Sequence, residues 1–209
     1  MRRISRLMLV AAVAAAGASC GNVVRQGRAP VYLVIDKLEA APGASPDQFG
    51  GLLQSDVLTV VTQGGSCSKT NPCPTIFNDV GRATLRASLK DIGTTANPAT
   101  PTSNNDVTID RYHVDYVRAD GRNTPGVDVP YPWDGAATGT IPAGGTLQIG
   151  FELVRHTAKG EPPLVQLVTS STVITTIAQV TFYGHDAVGN AVSVTGNIQV
   201  DFGNFGDAQ

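Results

Sequence analysis

Charged residues are scarce in this chain of 209 amino acids. Only 15% of the residues are charged, and lysine occurs four times, whereas 42% are hydrophobic. A net charge of −2 with so few lysines excludes the basic surface that nucleic-acid-binding proteins use. The near-normal hydrophobic fraction excludes a chain that is kept disordered by its charge. We therefore expect a folded protein with no nucleic-acid partner.

The sequence also lacks long helical periodicity, and aromatic residues make up only 6% of it. Instead it contains 24 valines, 21 threonines, 23 glycines and 13 prolines. Valine and threonine are β-branched and favour pleated sheet, while glycine and proline favour the turns that end strands. This composition predicts an all-β protein.

Strand patterns recur throughout residues 30–209, which we interpret as one domain. Apolar and polar residues alternate over Val80–Lys90, as in a half-buried strand. Further predicted strands cover residues 31–38, 57–62, 107–118, 146–154, 174–182 and 192–202. The alternation changes parity between Ile109 and Tyr112, which predicts a β-bulge near Asp110. We expect seven to nine strands, with long loops at 93–105, 119–137 and 156–170.

Residues 1–19 are typical of a secretory signal peptide. Three arginines among the first six residues precede an apolar run at 7–16, which is too short to span a bilayer. The sequence Ala18-Ser19-Cys20 that follows resembles the lipobox of bacterial lipoproteins. The resemblance implies cleavage before Cys20, a diacylglyceryl group on its sulfur and an acyl group on its new amine. The alternative is an ordinary signal peptide followed by a cysteine.

Lipidation would hold residues 20–29 at a membrane as a tether about 30 Å long when extended. The mature chain would carry 12 basic and 17 acidic residues, so its charge of 12 − 17 = −5 disfavours electrostatic attachment to anionic lipids. Membrane binding would then depend on the lipid. We expect a location in the bacterial cell envelope. In a Gram-negative host, Gly21 after Cys20 resembles the sorting signal of outer-membrane lipoproteins.

Lipidation of Cys20 leaves Cys67 and Cys73 as a pair around a polar, turn-forming segment. An exported protein occupies a compartment that permits disulfides. A bond that closes so short a ring contributes about 2 to 2.5 kcal/mol in the chain-entropy model. A redox or metal pair is the alternative, but the spacing is not CxxC and no histidine lies nearby in the sequence. We predict a structural disulfide.

The last two predicted strands flank a compact turn that contains Asp-Ala-Val-Gly-Asn at residues 186–190. This arrangement is similar to the terminal hairpin of bacterial immunoglobulin-like modules. The resemblance implies a two-sheet antiparallel β-sandwich with Greek-key connections.

Catalytic motifs of the common hydrolase, metalloprotease and nucleotide-binding classes are absent from the sequence. The histidines, His113, His156 and His185, lie in three separate regions. His156 and Glu161 form one His–acid neighbourhood, but a polar loop stiffened by Pro162 and Pro163 is the better explanation of them. We expect a non-enzymatic protein without a cofactor.

The loop at 119–137 carries the remaining candidate ligands. Oxygen ligands for calcium are available at Asp120, Asn123, Asp128 and Asp134. Their spacing matches no defined calcium loop, and Asp and Asn also favour turns, so no metal site is predicted. Tyr131 and Trp133, between prolines, could form a platform for a sugar or a protein partner, unless Trp133 folds into the core.

The sequence therefore favours a lipid-anchored envelope protein whose non-catalytic β-sandwich is a structural or protein-binding module. The alternative is a carbohydrate-binding or accessory hydrolase domain that uses the loops at 119–137 and 156–170. The hydrolase alternative requires the two loops to lie at the same end of the sandwich and to place His156, Glu161 and acidic residues within hydrogen-bond reach.

Overall fold

The computed structural model describes residues 27–206, and most of its regular structure is β-strand. The strands of this part of the chain are β1 (Val31–Ala41), β2 (Leu52–Asp56), β3 (Thr59–Val61), β4 (Cys73–Thr75), β5 (Asp79–Leu89), β6 (Gly93–Thr94), β7 (Asn97–Pro98), β8 (Val107–Val117), β9 (Trp133–Ile141), β10 (Thr146–Val154), β11 (Ile174–Asp186) and β12 (Ala191–Gly203). A short helix, α1, spans His156–Lys159, and 3₁₀ turns cover Ser103–Asn105 and Leu164–Thr169. No helix in the described residues is long and apolar enough to cross a membrane.

Eight of these strands form two principal sheets. The larger sheet has the order β2-β12-β11-β8-β9, and the smaller sheet has the order β1-β5-β10. The all-β prediction is confirmed, and the number of strands in the two sheets falls within the predicted seven to nine. The expectation of purely antiparallel pairing is wrong at one position, because β2 runs parallel to β12. Two small hairpins, β3–β4 and β6–β7, are additional to these sheets.

The two sheets enclose one hydrophobic core. Alternation along β5 places Ala83 and Leu85 inward, where both are fully buried, while Arg82 and Arg86 lie on the outer face. In the larger sheet the inward positions of β11 and β12 contribute large apolar side chains, including Phe182. This pattern is the period-two burial expected of strands that cover one core.

Both sheets share the same two ends, which we name by their connections. At the Val31 end, β1 begins at Val31, and the connections are the loop 90–106 and the tight turns 142–145 and 187–190. At the loop end, the connections are residues 42–51, 57–78, 118–132 and 155–173. A hydrogen bond from the Tyr116 hydroxyl to the Leu153 carbonyl, 2.6 Å long, links the sheets near the loop end.

The strands predicted from alternation are largely where the sequence placed them. β10 covers the predicted residues 146–154, and the bulge near Asp110 is confirmed, because Asp110 has no partner residue in the β8 ladders with β9 and β11. The long loop predicted at 119–137 is too long, since β9 begins at Trp133. Of the strand predicted at 57–62, only Thr59–Val61 is extended, and β2 is not among the predicted strands.

Candidate functional site

The loop end is the most elaborate region of the described chain. The loops that the sequence singled out as possible binding elements, now bounded at 118–132 and 155–173, both emerge there. The guanidinium of Arg155, the first residue of the second loop, lies over the ring of Trp133, the residue that follows the first loop, 4.8 Å from its centroid. A cation over an indole ring is an attractive contact. The two loops therefore lie at the same end, which is the first condition for a site built from both.

A buried ion pair fastens the 155–173 loop to the sheets. The Lys159 ammonium lies 2.8 Å from Asp79 Oδ2, and both side chains are only 1% exposed. The ammonium also donates to the Asp56 carbonyl at 2.8 Å. Asp79 accepts two further hydrogen bonds, from the Ser55 hydroxyl to Oδ2 at 2.6 Å and from the Gly43 amide to Oδ1 at 2.8 Å. Because an unpaired buried charge is costly, this set of partners is what permits both charges inside the protein.

One half of this pair has a signal in the sequence. The inward positions of β5 continue backward from Ala83 through Gly81 to Asp79, so the period-two pattern places a carboxylate in the core. A charged side chain at an inward position requires a buried partner. No comparable signal marks Lys159, which ends a four-residue helix in a polar loop. The sequence analysis identified neither residue as part of a site.

His156 is held by an amide side chain and not by the acid that its sequence neighbourhood suggested. Its backbone amide donates to Asn78 Oδ1 at 2.6 Å, and its Nδ1 lies 2.8 Å from the same oxygen. No hydrogen bond or ion pair joins His156 to Glu161 among the described residues. Asn78 and Asp79 together therefore fix both ends of α1 to the start of β5.

The predicted disulfide closes the hairpin at 57–78. Cys67 and Cys73 are bonded, with their Cα atoms 5.4 Å apart. Cys73 is also the first residue of β4, which pairs with β3. A backbone bridge between Ser68 and Asn71 completes the turn inside the ring. The bond therefore ties the turn of this hairpin to its second strand.

Tyr131 and Trp133 do not form a shared platform. Trp133 is partly buried against the core, and its ring meets Tyr112 edge-on with centroids 5.3 Å apart. Tyr131 is 51% exposed and lies against Gly126, where a Cβ would collide with its ring. In the described residues no ring contact joins the two. The loop therefore presents one exposed aromatic side chain, and Trp133 serves to dock the loop.

The oxygen groups considered as calcium ligands have protein partners. Side chains of Arg122 and Arg118 donate to Asp120 and hold the pKa of its carboxyl well below the usual range. Asn123 Oδ1 accepts from the Arg118 amide at 2.6 Å, and Asp128 Oδ2 accepts from Thr124 at 3.2 Å. These contacts shape the loop. No group of three or more possible ligands gathers around a common point in residues 27–206.

The other two histidines lie on the outer face of the larger sheet, where each contacts an aspartate. His113 Nδ1 lies 3.2 Å from Asp134, the fourth calcium candidate, and His185 Nδ1 lies 3.0 Å from Asp110. Arg111 also donates to Asp134 at 2.9 Å. Sequence reasoning missed these pairs because each joins residues at least 21 positions apart. Both pairs are exposed to solvent, so they are weak surface interactions.

Two tyrosines near the interior have altered acidity. Burial raises the pKa of Tyr112 to about 12, even though its hydroxyl accepts a hydrogen bond from the Glu152 amide at 3.1 Å. Burial also raises the pKa of the Tyr116 hydroxyl, which donates to the Leu153 carbonyl. Both side chains therefore remain neutral donors or acceptors at physiological pH and act in packing.

The proposed lipidation residue, Cys20, lies outside the described residues.

No protein-family model and no curated protein sequence matches this chain. Among solved structures, it resembles one described as the X-ray structure of Northeast Structural Genomics Consortium target SoR45. The identity is 11% and the TM-score is 0.34, over 82% of this chain and 86% of the other. A likeness this distant carries no argument about fold family or function.

Proposed function

We propose that this chain is an exported, lipid-anchored protein of the bacterial cell envelope whose β-sandwich is a non-catalytic module for binding a protein partner. The lipid on Cys20 and residues 20–29 attach the domain to a membrane, the outer membrane in a Gram-negative host. The sandwich is immunoglobulin-like. The order β1-β5-β10, and the order β12-β11-β8-β9 of four of the five strands in the larger sheet, correspond to the A-B-E and G-F-C-C′ orders of that fold, which supports the assignment.

One observation carries the proposal: the chain enters the sandwich at the Val31 end, and the stabilised loops are at the opposite end. A domain tethered through residues 20–29 has its Val31 end nearest the membrane. The loop end then faces away from the lipid, where a partner in the envelope can reach it. Loops positioned by a rigid sheet scaffold are common places for binding residues.

The surface of the loop end suits a protein partner. Val127 is 68% exposed and Tyr131 is 51% exposed in the 118–132 loop, and Val165 and Val173 are exposed in the neighbouring 155–173 loop. Exposed apolar side chains on loops with fixed positions lose little entropy on binding. The charged groups nearby, Arg118 and Arg122, are already paired with Asp120, which leaves apolar contact as the main source of affinity.

The alternative functions have less support from the geometry. A carbohydrate platform would need a second exposed ring beside Tyr131, and Trp133 is directed into the core. An accessory hydrolase would need an acid or base in the loops, and His156 contacts the neutral Asn78. We therefore prefer protein binding.

The anchor is tested by Cys20→Ser in the natural host. We expect the wild-type chain in the membrane fraction, carrying fatty acid supplied as a labelled precursor. The variant should lose the label and leave the membrane. A wild-type chain without label, recovered in soluble form, would refute the anchor.

The binding surface is tested by placing a photoreactive amino acid at Val127 or Tyr131 in living cells, with Val188 as the matched position at the Val31 end. All three side chains are exposed, so each probe can be introduced without disturbing the core. We expect one defined protein adduct from the loop-end positions only. Equal adducts from both ends, or adducts with glycan only, would contradict the proposal.

A further inference from the structure

We propose that Lys159 and Asp79 condense to an intramolecular amide that joins α1 covalently to β5. The two side chains meet inside the loop end, although 80 positions (159 − 79) separate them in the sequence. Neither the anchor nor the binding function explains why a lysine is fully buried there. The inference does not depend on the proposed function, because it rests on the contacts of these two residues.

The nucleophile and the electrophile are in reacting distance. Lys159 Nζ lies 2.8 Å from Asp79 Oδ2. The carboxyl C–O bond is about 1.2 Å long, so Nζ can lie at most about 4 Å from Asp79 Cγ. The Asp56 carbonyl, 2.8 Å from Nζ, restrains the amine from a second side. Two groups held in this way react as if each were present at an effective concentration of roughly 10⁵ M or more.

The hydrogen bonds on the carboxyl distinguish its two oxygens. Oδ1 accepts from the Gly43 amide at 2.8 Å, and this N–H stabilises the negative charge that forms on Oδ1 when nitrogen attacks Cγ. Oδ2 is the leaving oxygen, because the Lys159 ammonium and the Ser55 hydroxyl both donate to it. The donors are fixed by the fold before the reaction, so they need no rearrangement to act.

The reaction needs no other reactant. One proton of the Lys159 ammonium first passes to Asp79 Oδ2, which gives a neutral amine and a carboxylic acid. The Nζ–Cγ bond then forms and the Cγ–Oδ2 bond breaks. Two protons of the Lys159 ammonium leave with Oδ2 as water, and the third remains on the amide nitrogen. Both charges disappear, which removes the cost of keeping them away from solvent.

The surroundings favour the condensed product. Amide formation from an acid and an amine releases water, so it is promoted where water is excluded, and both side chains are 1% exposed. Asp56, whose carbonyl contacts Lys159, also lines a surface cavity of about 330 Å³. Once formed, the amide closes a loop from β5 to α1 and fixes the 155–173 loop to the smaller sheet.

The test is a peptide map of the full chain, purified from its natural membrane, denatured and reduced before digestion. Trypsin cleaves after arginine and unmodified lysine, so the Asp79 peptide spans residues 70–82 and an unmodified Lys159 ends a peptide that begins at His156. Neither lysine nor arginine follows Lys159 in the sequence. We expect residues 70–82 linked to residues 156–209, one water lighter than the sum of the two peptides, with cleavage after Lys159 lost.

The matched control is Lys159→Arg, which keeps a cation and restores a cleavage site but cannot form the amide. Its map should contain residues 70–82 as a linear peptide. Full recovery of linear 70–82 and 156–159 from the wild-type chain would overturn the proposal and leave the two residues as an ion pair. The decisive map is that of the wild-type chain, so the result does not depend on whether the variant folds.

Discussion

The two ends of this all-β domain are held together in different ways. At the Val31 end, the 187–190 turn depends on Asp186, which accepts hydrogen bonds from residues two and four positions ahead of it. At the loop end, the decisive contacts join distant parts of the chain: His156 to Asn78, 78 positions away, and Lys159 to Asp79. The 187–190 turn is encoded locally, whereas the contacts of His156 and Lys159 exist only when distant parts of the chain have come together.

This difference has a functional consequence. Local turns restrain the backbone with a few residues and allow little variation in shape. Long loops that are pinned by buried contacts can carry exposed side chains such as Val127 while keeping a fixed geometry. A substitution that removes one of these buried contacts should therefore loosen the loop end and leave the Val31 end intact, which makes the comparison testable.

The largest effect is expected from Lys159→Met. The substitution removes the link from residue 159 to Asp79, whether ion pair or proposed amide, and leaves the Asp79 carboxylate buried without a cation, so the free energy of unfolding should fall by about 3 kcal/mol or more. Chemical denaturation measures this loss, and hydrogen exchange should show it first in residues 155–173. Equal loss of protection at residues 187–190 would contradict the distinction between the ends.

Two variants sharpen this result. The exposed Lys37, which pairs with Glu39, provides a matched lysine-to-methionine control, and its loss should cost less than about 1 kcal/mol. In the second variant, Asp79→Leu combined with Lys159→Met removes both charges. It should be more stable than Lys159→Met alone, because replacing a buried pair by apolar side chains avoids an unpaired charge.

The disulfide should have the next largest effect. Replacing Cys67 and Cys73 together by serine removes a covalent restraint on the unfolded chain, and the expected loss of stability is about 2 kcal/mol. Calorimetry of the oxidised wild type and the variant measures it. Reducing agent should lower the wild-type melting temperature to that of the variant and leave the variant unchanged. A variant that responds to reductant would disprove this account.

At the Val31 end, Asp186→Ala should cost about 1 to 2 kcal/mol, because buried hydrogen bonds to Val188 and Asn190 are lost but the turn can recruit water. Asp91→Ala, which removes one exposed bond to Gly93, is the control and should have a smaller effect. Exchange should increase in the 187–190 turn only. An accompanying release of residues 155–173 would show that the two ends are coupled.

The same distinction explains what could be predicted from the sequence. The strands β5, β10, β11 and β12 follow from alternation, and the Asp110 bulge follows from a change in parity, because strand burial leaves a pattern within a few residues. The Asp186 turn is equally local. These features belong to the body of the sheets and to the Val31 end.

The loop end could not be predicted in this way. The loop predicted at 119–137 includes the first five residues of β9, because Gly, Ala and Thr dominate this strand and only Ala137 and Ile141 in it are buried. The contact between Arg155 and Trp133, and that between Lys159 and Asp79, depend on how the sheets pack, which no short pattern records. At this end, the Cys67–Cys73 disulfide and the position of Asp79 on the inward side of β5 were available from sequence.

The smallest effect is expected from Tyr112→Phe, in the middle of β8 and therefore at neither end. At neutral pH the variant should be about 1 kcal/mol less stable, because the Glu152 amide loses its acceptor. Burial raises the pKa of Tyr112 to about 12, above its value in the unfolded chain, so the wild type loses stability as the pH rises from about 10 through 12. The variant, which has no hydroxyl to titrate, does not lose stability in this way.

Urea denaturation at about pH 7 and pH 11 should therefore show a smaller difference in unfolding free energy between wild type and variant at the higher pH. A difference that stays constant would refute the assigned pKa shift of Tyr112. Since Tyr112 supports the core that both ends share, exchange at the two ends should rise together, unlike the one-sided changes expected from Lys159 and Asp186.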